Sequence, residues 1–354
     1  MYWLKTLSYY LYKMHEYWDK QPVPREGTTP GEIEAKRDVS KKTTKLPDSF
    51  MWSSCGVKEA CKFLREYYVE SGRFKLCYTK DVLKWSINDS IAIRKKDTNE
   101  LVGYITSMPV NSRVENEDIK MTQIDYLCVH PSYRTFGLAP LLITEIKRRA
   151  NKKDIWQAIY TAQTKIPTPI TKSYYWHRFL DVQHLVKIGF HQTNRIREKF
   201  YEIRGPCKHL WRKMTLDDVP KVTQLLQEYS KNFKITPIFD EQYVKRTLLP
   251  IHSYVNDISD DFISFYEIPY ERSDNSGTVR QVYRYLMVGD VYNDAFLIAK
   301  NLGYHVFNSA EAGVELKTLE KHKFMKGSGF VYYYLFNWHL SEAIKPKEIN
   351  LIIP

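Results

Sequence analysis

What most restricts the folds open to this 354-residue chain is that it repeats itself. A helix-like stretch "GVKEACKFLREYYVE" followed by "FKLCYTKDVLKW" has its counterpart in "DDVPKVTQLLQEYSKNF", which runs into "FKITPIFDEQYVKRTLL". The strand-like "ELVGYITSMPVNSR" answers to "DFISFYEIPYERSD", and "IDYLCVH" to "YRYLMVGD". A helix follows in each copy ("PLLITEIKRRAN", "DAFLIAKNLG"), then a strand ("QAIYTA", "HVFNSA"). Both copies are expected to finish on a helix and an aromatic strand, "HLVKIGFHQTN…EKFYEI" and "LEKHKFMKGSGFVYYYLFNW". One such match means little, but a run of them in one order argues for two copies of a single α/β unit. The copies divide near residues 204–211, where Gly205-Pro206 breaks the chain. The expected domains are therefore 1–205 and 206–354, each a mixed sheet flanked by helices and related by a pseudo-twofold duplication.

The end of the chain poses a separate question. Terminal residues are commonly polar and frayed, yet "NLIIP" closes on Leu351, Ile352, Ile353 and Pro354. Such a segment reads as buried, and burial would carry the α-carboxylate of Pro354 inward at a cost of several kcal/mol unless a partner offsets it.

A net charge of +12 suits a polyanionic partner, nucleic acid or a phosphorylated cofactor alike. No zinc finger, RNP-type strand or helix-turn-helix pattern supports nucleic acid, so none is expected as a partner. Five cysteines without a C-x-x-C pair read as reduced thiols of a cytoplasmic protein. No metal is expected: His177, His184 and His191 recur every seven residues, but no cysteine or carboxylate pattern joins them. No apolar run approaches a membrane span, and the aromatic, lysine-interrupted start is not read as a signal peptide.

One junction points to the phosphorylated ligand. After the strand "IDYLCVH" comes "PSYRTFGLAPLLITEIKRR", in which Arg134-x-x-Gly137-x-Ala139 leads directly into a helix with Pro140 at its start. Gly137 allows close backbone approach, and the first turn of a helix offers unpaired N–H groups and partial positive charge, an arrangement that holds a pyrophosphate. The second copy has "VGDVYNDAFLIAK" here, without the arginine, so only the first half is expected to bind the cofactor. Unit order and loop together resemble the acyl-CoA-dependent acetyltransferase superfamily.

The resemblance sharpens with "EYWDKQPVP" (16–24), "LVGYITSMP" (101–109), "YLCVH" (126–130), "RTFGLAPLLITEI" (134–146), "YTAQTKIPTPI" (160–170), "YWHR" (175–178), "ITPI" (235–238), "DFISFYEIP" (261–269), "YYYLFNW" (332–338) and the tail "EINLIIP". In order, these resemble the protein N-myristoyltransferase family over nearly the whole chain. The resemblance implies transfer of a C14 acyl group from myristoyl-CoA to the N-terminal glycine amine of a protein, by direct attack on the thioester. It implies that the terminal carboxylate, here that of Pro354, is the base and that the N–H groups of Tyr126 and Leu127 form the oxyanion hole. Thr161 would help to hold the amine. Tyr17 and Trp18 would cover the CoA, with Tyr126, Leu127, Cys128, Val129, Arg134, Thr135, Phe136, Gly137, Leu138, Ala139 and Pro140 completing its site. The peptide would meet Glu70, Phe74, Asp125, Tyr160, Thr161, Tyr175, His177, Ser264 and Ser328. Cys128 invites an acyl-cysteine step, but an apolar strand raises a thiol pKa, so a structural role is expected for its sulfur.

The chain departs from that family in places. Phe136 and Gly137 stand where further basic residues are usual, and Asp125 where asparagine is usual. The acidic loop is shortened to "VESGRF" with Glu70, and "GSG" with Ser328 replaces a G-D-G. Peptide preference is therefore expected to differ. Two other readings use the same residues: a different acyl-CoA-dependent N-acyltransferase, or an inactive relative that binds acyl-CoA or peptide. The retained base, oxyanion stretch and "YTA" argue against the inactive reading, and pocket depth would separate the two acyltransferase readings. An active glycylpeptide N-myristoyltransferase is the favoured expectation, with a monomer expected as its state.

Overall fold

The computed structural model describes residues 17–69, 72–191, 198–203, 205, 207 and 210–354. Its main sheet comprises β1 (Phe50–Ser53), β2 (Asp89–Lys95), β3 (Leu101–Val114), β4 (Glu117–Val129), β5 (Gln157–Ala162), β6 (Thr171–Phe179), β7 (Trp211–Lys213), β8 (Ile235–Pro237), β9 (His252–Asn256), β10 (Phe262–Glu267), β11 (Gln281–Val288), β12 (Val306–Ala310) and β13 (Met325–Phe336). Across the sheet they lie in the order β1-β2-β3-β4-β5-β13-β6-β12-β11-β10-β9-β7, with β8 paired to β3.

That order shows the duplication. Reading outward from the centre, β13, β5, β4, β3 and β2 on one side mirror β6, β12, β11, β10 and β9 on the other. In each copy one pair is parallel, β4 with β5 and β11 with β12, and the antiparallel ladders match across the centre. The halves are joined by exchange: β13, from the second copy, pairs with β5 of the first, and β6, from the first, pairs with β12 of the second. A single sheet thus runs through both halves. The boundary expected at 205/206 falls in a stretch where residues 204, 206, 208 and 209 lie outside the described ones.

The closing strand of the first copy differs from the expectation. It is β6, "TKSYYWHRF", ahead of the helix, whereas "EKFY" forms a 3-10 turn over Glu198–Tyr201. The sheet selects β6 because it borders both β12 and β13 and so has its backbone groups paired on two sides.

The helices follow from apolar spacing and caps. In α1 (Val57–Tyr67), Ala60, Phe63 and Leu64 share one buried face. Thr79 caps α2 (Lys80–Ser86) by accepting from the Val82 N–H. Then come α3 (Leu138–Asn151), α4 (Val182–Lys187), α5 (Val219–Ser230), α6 (Glu241–Leu248), α7 (Tyr292–Asn301) and α8 (Leu316–Lys321). Asp240 caps α6 through the Tyr243 N–H at 2.6 Å.

The C-terminal segment is part of the core. Ile349 bridges to Ile235 of β8, and the Asn350 N–H donates to the Ile235 carbonyl at 2.7 Å. Ile349, Leu351, Ile352 and Ile353 are buried in the same cluster as α1, β3 and α5, each contributing roughly 1.5–3 kcal/mol. Pro354 is half-buried.

Candidate active site

Parallel pairing of β4 with β5 runs from Met121–Gln157 to Ile124–Tyr160 and there ends, although both strands continue. The strands part at this point. On its other side β4 carries a bulge: Asp125 faces Thr106 and Cys128 faces Tyr104, so Tyr126 and Leu127 together oppose Ile105. Tyr126 adopts φ +52°, a left-handed conformation that costs a non-glycine residue about 1 kcal/mol or more. Its side chain is clamped in place, fully buried, with the hydroxyl 3.0 Å from Ser86 Oγ and the ring against Tyr68 and Tyr78. The bulge turns the backbone of residues 126–127 out of the ladder at the parting of the strands.

A cavity of about 720 Å³ opens there. α3, β5 and the segment before β5 give it an apolar lining, including Ile143, Ile146, Ala150, Trp156 and Ala158. β6, β10 and β11 line it with Tyr175, His177, Tyr266 and Tyr283. Ile353 and Pro354 reach its wall from the chain end. Of the residues singled out in the sequence, Trp18, Asp125, Tyr126, Leu127, Tyr160, Thr161, Tyr175, His177, Ser328 and Pro354 are brought together around this one space.

Asp125 is buried. Its Oδ1 accepts from the Tyr126 N–H at 2.7 Å and from the Tyr68 hydroxyl at 3.2 Å, while Oδ2 has no hydrogen-bond partner. Burial pushes its carboxyl up to about 7, the two hydrogen bonds opposing the shift. The N–H of Tyr126, expected for the oxyanion hole, is therefore engaged by the neighbouring carboxylate. Thr161 follows Tyr160 on β5 just as Asp125 follows Ile124 on β4, so the two residues leave the parallel ladder side by side.

Tyr160 is sandwiched between Trp18 and Tyr334, with ring centroids 5.8 and 5.1 Å apart. Its hydroxyl and the Trp18 Nε1–H are buried without partners. Tyr17 packs edge-on against Trp18, and burial pushes its phenol up to about 12 despite a bond to Thr144. His177 Nδ1 lies 2.6 Å from Asn308 Oδ1. Because Asn308 Nδ2 donates to Gln281, its oxygen must accept, which places the proton on Nδ1 and leaves Nε2 as an acceptor. Burial lowers the His177 pKa and favours the neutral ring. Gly327 is required beside it, since a Cβ there would stand 2.3 Å from Nε2.

The other predicted residues lie away from the cavity wall. Cys128 and Val129 are buried on β4. Residues Pro131–Phe136 form a 3-10 turn in which Arg134 Nε donates to the Val129 carbonyl at 3.2 Å and Thr135 and Phe136 are exposed. Gly137, at φ +71°, then caps α3, and nothing lies within 4 Å of where its Cβ would be. Leu138 and Ala139 are buried and Pro140 half-buried at the start of α3. This junction is a continuation of the cavity-lining Leu127 rather than part of the cavity itself. Phe74 packs edge-on to Phe190 in a separate cluster, and Ser264 is fully buried with its hydroxyl bonded to both the N–H and the carbonyl of Leu286. Glu70 lies outside the described residues. Among the described residues no group of three His, Cys, Asp or Glu side chains could hold a metal, and no helix is long and apolar enough to cross a membrane.

The family model for the Myristoyl-CoA:protein N-myristoyltransferase N-terminal domain matches residues 31–173, and that for its C-terminal domain matches 186–352. The chain is a member of this family. Glycylpeptide N-tetradecanoyltransferase 1 of Arabidopsis thaliana is 33% identical over 394 residues, covering 96% of this chain and 89% of that protein. The glycylpeptide N-tetradecanoyltransferase of Dictyostelium discoideum is 33% identical over 384 residues, covering 96% and 93%. Saccharomyces cerevisiae N-myristoyltransferase, solved with bound myristoyl-CoA, superposes with a TM-score of 0.85 at 29% identity, over 95% of this chain and 92% of that one.

Sequence reasoning missed some residues of this myristoyltransferase cavity. Tyr68, Tyr266 and Tyr283 were not singled out, although Tyr68 holds Asp125 and the other two line the wall. The 27 tyrosines were the available signal, but only the fold shows which of them converge.

Proposed function

We propose that this chain transfers the tetradecanoyl group of myristoyl-CoA to the N-terminal glycine amine of proteins. The observation that carries the reading is the convergence of the parted strands, the Tyr126–Leu127 bulge, Thr161 and the chain end on one cavity with an apolar lining on the α3 side. The α3 junction with Arg134 and Gly137 takes the pyrophosphate of the donor, Tyr17 and Trp18 cover it, and the acyl chain enters the apolar part of the cavity. The thioester oxygen is received at the bulge, where a well-placed donor contributes about 3 kcal/mol to the transition state. Peptide enters among Tyr175, His177 and Ser328, and Thr161 holds its amine. In a chain whose last residue is Pro354, the terminal carboxylate stands at the cavity wall as a base for that amine. Residues 1–205 supply most of the donor site and 206–354 much of the peptide wall, with the enzyme a monomer in the cytoplasm.

Incubation with myristoyl-CoA and a small set of glycine-starting peptides, read by mass spectrometry, is the test. A tetradecanoyl group on the peptide N-terminus is expected. Absence of acylated peptide would overturn the assignment, and faster transfer from a shorter acyl-CoA would shift it to another N-acyltransferase.

A further inference from the structure

A buried carboxylate is tolerated when a cation or enough donors satisfy it. Asp125 meets only half of that requirement. Tyr126 and Tyr68 hold Oδ1, but Oδ2 has no partner, and the residue is only 8% exposed on the wall of the cavity. Titratable groups face it from every side: Tyr68 after α1, Tyr78 before α2, Tyr126 on its own strand, Tyr175 on β6 and Tyr266 on β10. All are phenols, and among the described residues no lysine, arginine or histidine forms an ion pair with it. A carboxylate in a tyrosine-lined space, with one oxygen bare, is complementary to a small cation bearing N–H donors. The acceptor in the reaction proposed above is such a cation, a primary ammonium.

We propose that Asp125 is the carboxylate that receives the ammonium of the acceptor glycine and takes its first proton; this rests on the acyl-transfer reading. The reaction removes two protons from nitrogen, because an ammonium and a thioester become an amide, a thiol and one released proton. In the first transfer an N–H bond breaks and Oδ2–H forms, leaving a free amine beside Thr161. Its lone pair attacks the thioester carbon, the C–S bond breaks, and the departing thiolate is neutralised by the second proton from nitrogen, relayed by the terminal carboxylate. Asp125 then returns its proton to solvent. The burial-raised carboxyl pKa of about 7 and the usual α-amine value of about 7.7–8.0 are close enough for the first transfer to be nearly balanced.

The test measures binding without turnover. A thioether analogue of myristoyl-CoA occupies the donor site, and calorimetry compares a glycine-starting peptide with its isostere in which hydroxyl replaces the amine. Wild type should prefer the amine by about 10- to 100-fold, the range for a charge-assisted contact. Asp125→Asn keeps an oxygen for Tyr126 and Tyr68, so the bulge should survive, and it should lower that preference at least tenfold. The acid limb of kcat/KM should move in the same variant. An unchanged preference in Asp125→Asn overturns the role of Asp125 and leaves acyl transfer standing. If neither peptide binds to wild type, the acyl-transfer reading fails and the inference falls with it.

Discussion

In the first half the parallel pairing of β4 with β5 stops at Ile124 and Tyr160, and in the second half that of β11 with β12 stops at Tyr283 and Asn308. The next residues are Asp125 and Thr161 in one copy, Arg284 and Ser309 in the other. Asp125 leaves an oxygen bare. Arg284, 3% exposed, uses its guanidinium to fill the equivalent gap, donating to Ser309 Oγ at 2.9 Å and to the carbonyls of Tyr285 and Ala312. The bulge recurs as well, with Tyr285 and Leu286 opposite Ser264, but there the Ser264 hydroxyl closes it by accepting from the Leu286 N–H at 2.9 Å. At the strand–helix junction, residues 130–137 form an open turn in the first copy. In the second copy residues 289–291 suffice, with Asp261 packed where a Gly289 Cβ would be and Asp290 tied to Lys321 and His322. Duplication supplied two places where strands part. One has been sealed with hydrogen bonds and serves as structure, and the other was left unsatisfied and can take a ligand.

The largest effect expected from this contrast lies at the open gap. For the chain ending at Pro354, adding a few residues turns the α-carboxylate into an amide, and removing Ile353 and Pro354 leaves the end several ångströms short, at about 3.4 Å per residue. Each should lower kcat by 10² or more, as loss of a positioned base does, while donor affinity measured by calorimetry stays the same. Pro354→Leu retains a carboxylate at that position and should remain active. Full activity in the extended protein would leave Asp125 to act as base unaided.

Next come substitutions that exchange the characters of the two gaps. Arg284→Ala leaves a hole and unpaired acceptors and should cost about 2–4 kcal/mol in denaturant unfolding. Asp125→Asn should do the opposite, in a pH-dependent way. The folded-state pKa of Asp125, about 7, lies above the ordinary carboxylate value. Below about pH 4 the group is protonated whether folded or unfolded and contributes nothing. Between about 4 and 7 the unfolded chain ionises while the folded one holds its proton, so stability falls as pH rises, by up to about 4 kcal/mol above pH 7. Asp125→Asn should recover part of that, about 2–4 kcal/mol at pH 8 and little at pH 4, in paired unfolding curves. Equal gains at both pH values would show that Asp125 is not a strained acid.

How much of this was legible in the sequence follows from which interactions are local. The repeat revealed the pseudo-twofold sheet, because corresponding apolar runs make corresponding strands. The apolar tail read as buried, and Ile349 to Ile353 are so. "TKSYYWHRF" did not declare itself as the closing strand of the first copy, since its place depends on partners from the other half, β12 and β13. The positive φ of Tyr126 could not be read either, because tyrosine carries no signal for a left-handed turn. The family resemblance puts Ser264 in the peptide groove, whereas the structure has it in the sealed bulge opposite Tyr285 and Leu286, a distinction that depends on which strand lies opposite.

A smaller effect is expected at the two junctions. Arg134→Ala or Gly137→Val should weaken myristoyl-CoA binding by about 1.5–3 kcal/mol, the worth of a charge-assisted contact or of close backbone approach. Space around the Gly137 Cβ is empty, so the larger side chain meets the ligand rather than the fold, although its positive φ adds about 1 kcal/mol of strain. Gly289→Ala should reverse the pattern. Its Cβ would stand 1.9 Å from Asp261 Oδ1, so stability should drop by about 1–2 kcal/mol while donor affinity is unchanged. Equal donor affinity in wild type, Arg134→Ala and Gly137→Val would remove the pyrophosphate from the first junction and with it this part of the contrast.

The smallest effect concerns a residue that proximity alone would promote. Cys128 follows the bulge on β4 and pairs with Tyr104, next in sequence to the proposed oxyanion position, which invites an acyl-cysteine intermediate. The residue is 3% exposed within the core cluster that also holds Tyr104, Met121 and Tyr126. Burial in an apolar core is the setting of a structural rather than a reactive cysteine. The duplication offers a control, since Met287 occupies the matching place on β11 and there serves as packing. Cys128→Ala should therefore keep kcat within about threefold, well short of the 10²-fold or greater loss expected from removing an essential group, and cost about 1 kcal/mol of stability for the lost sulfur. Rapid mixing of wild type with labelled myristoyl-CoA alone should release no stoichiometric burst of CoA. Such a burst before peptide is added, abolished in Cys128→Ala, would mean that the open gap carries a covalent step and that the amine attacks an acyl-enzyme instead of the donor.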